Sequence, residues 1–387
     1  MLRCGMTTSA IVIGAGVIGA SVAFRLAQAG VRVTLVEAGR IGAGTSLCSF
    51  AWVSACERVA SDDYYRLSLA AVRAHRATVE EFGDRGTWHV RPGVIQWRAA
   101  EWEDPALADK PVDRKLERLQ ELGYPAEALT PEELRKLEPE LAEDAITESD
   151  FAIHYPDDGY VEASVYIGEL FDRAVRRHGL VIRTGTPVAE VLLEGGQVRG
   201  VRTAAGERIE ADVVVNCAGR WSSDIVGHEE LQVPLAPTVG LIAYTPSLPT
   251  TIRKVLRTPG LNVRTDGAGR LLLRANDLDA HVGEHDAPTP DHPVAQKLVE
   301  RLWALAPALQ GVPVEAVRIA VRPIPKGGLP CVGPIPGVAN YWVAVTHGGI
   351  NTAAFIGTAL RDEILDGRPV EEYAPFRPAR FFEGAAP

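Results

Sequence analysis

Three glycines and one glutamate have the spacing most specific for chemistry in this chain. Gly14, Gly16 and Gly19 follow directly on the apolar run Ile11, Val12 and Ile13, and Glu37 closes a second apolar run, VRVTLV. A strand, a glycine turn, a helix and a second strand in that order make a phosphate cradle. Gly14 permits the tight turn, Gly16 lets bare backbone approach a pyrophosphate, and Gly19 lets the helix pack close on the strand. The helix N-terminus offers N–H groups to the phosphates, and the Glu37 carboxylate accepts hydrogen bonds from a ribose diol. The chemistry these residues point to is dinucleotide binding.

Two further patterns carry less. Asp157 and Asp158 in HYPDDGY are paired carboxylates, but their setting is a turn, which they shape. HVGEH (281–285) matches an H-x-x-E-H zinc pattern with His292 nearby, yet that pattern works only on a helix. Gly283 interrupts it and Pro288, Pro290 and Pro293 follow, so a polar loop without metal is expected.

The elements that must position the cradle are legible around it. Residues 21–29 read as a helix stopped by Gly30, and residues 31–36 as the next strand. Ser61 and Asp62 cap a helix running to Phe82, and Thr130, Pro131 and Glu133 open another inside a charge-rich, solvated helical stretch, 101–146. A helix from 165 to 178 ends at Gly179 and leads to a strand at 180–183. ADVVVNCAGRWS (211–222) returns to a fully apolar strand, and residues 231–320 alternate short β-like runs with turns. A last strand, 341–345, feeds THGGIN and a helix from 352 to 365 that stops at Gly367.

Length and charge bound the rest. The 387 residues allow two or three domains, and 50 acidic against 40 basic side chains give a net charge of −10, which argues against nucleic acid as a partner. Five scattered cysteines without a CxxC pair argue against a disulfide framework or a zinc ribbon and fit a reducing, cytoplasmic setting. No apolar run approaches a membrane span. MLRCG reads as a start-site extension, with Met6 as an alternative start to Met1.

Several segments together resemble the glycine oxidase, D-amino-acid oxidase and sarcosine oxidase family of FAD-dependent amine oxidases. They are IVIGAGVIGASVA with Glu37, GAGTSLCSFAW (42–52), PDDGYVEA, VVNCAGRWS, AVRPIPKGGLPCVGPIP (320–336) and THGGINTAAFIG. The resemblance spans nearly the whole chain, and it implies a fold that is α/β plus α+β. A Rossmann-like FAD-binding domain (6–85, 152–228 and 320–375) is interleaved with a substrate domain on an antiparallel sheet (86–151 and 229–319). An NAD-linked dehydrogenase shares the glycine turn but accounts for neither VVNCAGRWS nor THGGIN.

The resemblance also implies the site. Val17 and Ile18 sit at the pyrophosphate, Glu37 and Ala38 at the ribose, and Thr45 and Ser46 near the phosphates and flavin. Val188 meets adenine, Ala218 and Gly219 belong to the cofactor site, and His347, Gly348, Gly349, Ile350, Asn351 and Thr352 wrap the flavin. A helix N-terminus there favours the negative charge of reduced flavin. Arg322 presents a guanidinium to a substrate carboxylate. Tyr244 and Trp52 are further pocket candidates, each with core packing as its alternative.

The expected reaction is oxidation of a small amine or amino acid to an imine, with dioxygen as acceptor and hydrogen peroxide as product. The sarcosine oxidase branch has a flavin-linked cysteine where this chain has Arg322, so dissociable FAD is expected. That branch also has a lysine for oxygen where LLLRAND (271–277) has none, which leaves open a dehydrogenase passing electrons to a quinone or protein partner. A flavin-binding accessory subunit is a third alternative. Asn351 and Phe50 replace usual glycines and Lys326 a common aspartate, so the amine itself is not implied. A homo-oligomer is left open.

Overall fold

The computed structural model describes residues 8–83, 88–97, 112–147, 152–267 and 269–382. The choice between Met1 and Met6 lies outside the described residues, as do parts of the charge-rich stretch and of the expected segments 6–85 and 86–151.

Two large sheets organise the molecule. The first has six strands in the order Cys331–Pro334, Tyr341–Val345, Val213–Asn216, Ser9–Ile13, Arg32–Val36, Val181–Arg183. All neighbours run parallel except the first pair. Its central strands are continuous apolar runs because helices cover them: Ala10–Ile13 and Val213–Val215 are buried throughout. The helix Val17–Gln28 packs against both Ala163–His178 and Gly349–Asp366. The last crossing is tight, for a Cβ on Gly357 would lie 2.7 Å from the Ser21 carbonyl oxygen.

The second sheet has eight strands: Ala316–Arg322, Thr238–Tyr244, Arg270–Arg274, Leu261–Asp266, Val255–Thr258, Val94–Trp97, Ala152–Tyr155, Glu127–Leu129. It is antiparallel, as expected, with one parallel pair where Val255–Thr258 runs beside Val94–Trp97. Its core is closed by the helix Pro293–Leu305. Ala152–Tyr155 and residues 320–322 pair within this sheet, although both fall in segments expected on the FAD side. A small sheet of Trp52–Val53, Gly159–Val161 and His89–Val90 shares a core with both.

The local signals act as read. Ser61 Oγ accepts from the Tyr64 amide at 3.3 Å to start the helix Asp62–Phe82. Thr130 and Glu133 form a reciprocal capping box on Pro131–Leu137. The charge-rich stretch differs from the solvated excursion expected, because two of its charges are buried. Lys115 sits inside the core, and Glu138 accepts the amides of Arg253 and Lys254, docking the stretch on the second sheet. Residues 281–285 make no continuous helix: Asp279–His281 is a short turn, and Glu284 pairs with Arg220 at 2.7 Å. His292 instead caps Pro293–Leu305, accepting from the Val294 amide at 3.1 Å.

Candidate active site

Each glycine of the cradle is required for a different geometric reason. Gly14 has φ +99°, and a Cβ there would meet the Cys217 carbonyl oxygen at 2.7 Å. A Cβ on Gly16 would approach Ser46 Oγ at 3.1 Å, and one on Gly19 would fall 1.9 Å from the Gly14 carbonyl oxygen. Ser46 Oγ accepts from the Val17 amide at 3.0 Å, at the start of the helix. The Glu37 carboxylate is held by the amides of Ala15 at 2.8 Å and Gly39 at 2.7 Å, at the end of its strand.

All of these except Ala15 and Gly19 border one cleft. Gly14, Gly16, Val17 and Ile18 line it with Glu37 and Ala38, and so do Val188, Ala218 and Gly219. Thr45, Ser46, His347, Gly349 and Ile350 complete the lining. Gly19 lies behind the wall, against Gly14. The residues fit an adenine dinucleotide: the floor is bare backbone at a helix N-terminus, and a carboxylate stands at the end of the second strand.

A second cavity opens beside it, and Thr45, Ser49, His347 and Ile350 line both. Gly348, Asn351 and Thr352 belong to this second cavity rather than to the cleft. Asn351 acts as a strand surrogate: its Oδ1 accepts from the Ser54 amide and its Nδ2 donates to the Ser54 carbonyl, both at 3.1 Å. The helix Gly349–Asp366 starts at the junction, with no side chain capping its first turn. His75 braces that start, donating from Nε2 to the Ile350 carbonyl at 2.9 Å. Burial pushes its pKa down to about 4, so the imidazole is neutral.

The second cavity is rich in guanidinium. Arg322 lines it at the end of its strand, and its NH2 bonds Asp279 Oδ2 at 2.7 Å. Gly240 on the neighbouring strand makes room for it, since a Cβ there would lie 2.0 Å from Arg322 NH2. Arg274 reaches the same Asp279 oxygen at 3.9 Å. Arg257 lies over the ring of Trp52 at 4.3 Å and forms an ion pair with Glu57 at 2.8 Å. Behind that pair, buried Lys115 also bonds Glu57, and reaches Gln96 Oε1 at 2.9 Å. Asp158, its carboxyl raised to about 6 by burial, takes the Tyr124 hydroxyl.

Of the three residues expected in the pocket, Arg322 and Trp52 line the cavity. The structure does not bring Tyr244 there. Gly240, Leu241 and Ile242 of its strand face the cavity, whereas Tyr244 ends the strand, buried between the guanidiniums of Arg270 at 4.8 Å and Arg318 at 5.4 Å. Arg257, Asn262, Arg274 and Glu57 were not anticipated. They sit in ordinary strand or loop text, and the pairing of strands aligns Arg257, Asn262 and Arg274.

The sequence profile of the family described as FAD dependent oxidoreductase (DAO) matches residues 9–363. An uncharacterized oxidoreductase, YurR, of Bacillus subtilis (strain 168) is 27% identical over 389 residues, covering 96% of this chain and 98% of its own. A glycine oxidase of Bacillus licheniformis is 25% identical, covering 93% of this chain and 94% of its own. The crystal structure of glycine oxidase from Geobacillus kaustophilus superposes with a TM-score of 0.82 at 24% identity, over 97% of this chain and 99% of that one. Among the described residues, no helix is long and apolar enough to cross a membrane.

Proposed function

The chain belongs to the DAO family of FAD-dependent oxidoreductases, and from that premise we propose that it oxidises the C–N bond of a small amino acid or amine whose carboxylate binds Arg322. The observation that carries this reading is the junction of the two cavities. A nucleotide cleft ends at the start of the helix Gly349–Asp366, and a guanidinium-lined pocket begins on the same four residues. Bound in the cleft, FAD supplies the two-electron acceptor for a hydride from the carbon bearing nitrogen, so that the substrate leaves as an imine and hydrolyses.

The chain's own groups do the positioning. Arg322 offers a planar donor pair to a carboxylate, and Asp279 fixes its plane. The positive end of the Gly349–Asp366 dipole favours negative charge at the junction. The amine binds neutral, so no separate acid–base pair is needed. With Arg322 where the sarcosine oxidase branch places its flavin-linked cysteine, FAD is held without a covalent bond, and acid precipitation should release it into the supernatant.

The test is anaerobic mixing of the FAD-loaded protein with D- and L-amino acids, N-methyl amino acids and cyclic imino acids. Bleaching of the flavin by at least one of them is expected; a flavin that stays oxidised throughout overturns the reading. A second reading, a dehydrogenase that hands electrons to a quinone or protein, is favoured by the absence of lysine among the described residues lining either cavity. Turnover with an artificial dye that far exceeds peroxide release supports it.

A further inference from the structure

We infer that the pocket takes an amine carrying two anionic groups, one at Arg322 and the second at a polar row formed by Arg257, Asn262 and Arg274. This rests on the reading above for the oxidation, but not for the binding. Strand register puts Arg257 opposite Asn262 and Asn262 opposite Arg274. Residues directly opposite in a sheet share a face, and all three line the cavity. The outer two members stand two strand spacings apart, about 10 Å at the backbone.

The charges facing this row come from several elements. Among the described residues lining the cavity, four arginines, Arg58, Arg257, Arg274 and Arg322, stand against one carboxylate, Glu57. Glu57 is shared by Arg257 and Lys115, while Asp279 is shared by Arg274 and Arg322. Asp158, next to the Lys115 cluster, is already engaged by Tyr124. Trp52 also lines the cavity, and its buried Nε1 has no hydrogen-bond partner among the described residues. A single carboxylate at Arg322 leaves the row facing the substrate side chain, and desolvating a guanidinium against an apolar side chain is costly. A second carboxylate turns the row into a charge-assisted clamp.

The experiment is isothermal titration calorimetry of the FAD-loaded protein with succinate and with butyrate, four-carbon acids that lack an amine. Succinate should bind at least ten times more tightly. Arg257→Met and Arg274→Gln should each bring that ratio below three, and Arg257→Lys should recover part of it; thermal melts and the retained flavin spectrum check that each variant folds. Equal affinity of the wild-type protein for the two acids overturns the inference, whatever the variants do. In a parallel anaerobic titration, D- and L-aspartate and glutamate should bleach the flavin at lower concentration than asparagine and glutamine. Succinate preference with no bleaching by any amine would sink the amine-oxidation reading and leave the two-anion site standing. Bleaching by monocarboxylic amines without succinate preference would do the reverse.

Discussion

The nucleotide cleft is lined largely by glycines and small side chains, from stretches at 13–18, 36–49, 186–188, 217–225 and 346–350 with Pro323. In the neighbouring pocket charged and polar side chains are drawn together, among them Arg257, Asn262, Arg274 and Arg322 from strands that begin at Val255, Leu261, Arg270 and Ala316. The first site is made by removing side chains and the second by aligning them. A backbone site tolerates no added atom, because main chain cannot rotate away. A side-chain site tolerates change at one position but depends on every neighbour that holds a guanidinium in its plane.

Variants can break that contrast. The largest effect is expected from Gly19→Ala, whose Cβ would sit 1.9 Å from a main-chain oxygen. Affinity for FAD, followed by fluorescence titration of the apoprotein, should fall by about a hundredfold or more. Unchanged affinity would mean that the cradle yields like a side-chain site. Arg322→Ala should come next, raising the half-saturating concentration of substrate by more than about tenfold while the flavin spectrum stays intact. An unchanged value would remove Arg322 from the carboxylate role.

Gly240→Ala tests whether the pocket depends on its neighbours. The added methyl meets the far end of a flexible side chain, so the fold should survive while Arg322 is displaced. A loss of about threefold to tenfold in substrate affinity is expected, and no further loss when it is combined with Arg322→Ala. Additive losses would show that Gly240 acts by another route.

The smallest effect concerns the junction. His75 has a folded pKa of about 4 against an ordinary value of 6.5, so between those values the unfolded chain binds more protons and stability falls as pH falls. His89, lowered to about 3 by burial, acts in the same direction; Asp158 and Glu138, raised by burial to about 6 and about 7, act in the opposite one. Comparison with His75→Gln isolates the one imidazole. Between pH 6.5 and 4 the wild-type melting temperature should drop by roughly 3 °C more than that of the variant. Parallel curves would show that His75 does not titrate against the fold.

The same contrast explains what could be read in advance. Gly14, Gly16, Gly19 and Glu37 announce themselves because a tight turn, a close approach and a strand end impose residue types at fixed intervals along the chain. Ser61, Thr130, Gly179 and Gly367 mark helix ends for the same local reason. Arg257, Asn262 and Arg274 carry no such mark. Nothing in VLRT, LNVRT or LLLRAND says which residues will lie side by side, since register is a property of paired strands. Tyr244 went astray in the same way: its strand reaches the cavity, but the residue sits at the end that does not.

By itself the sequence determined that the chain has a dinucleotide cradle and where the helices around it begin and end. These depend on conformations of neighbouring residues, which local chemistry dictates. Only the tertiary structure decided that Asp279 and Gly240 hold the Arg322 guanidinium and that Asn351 splices a helix start to Ser54. The same is true of the two arginines that flank Asn262 across three strands. Those contacts join residues far apart in the chain, and they exist only once the sheets have paired and the core has closed over them.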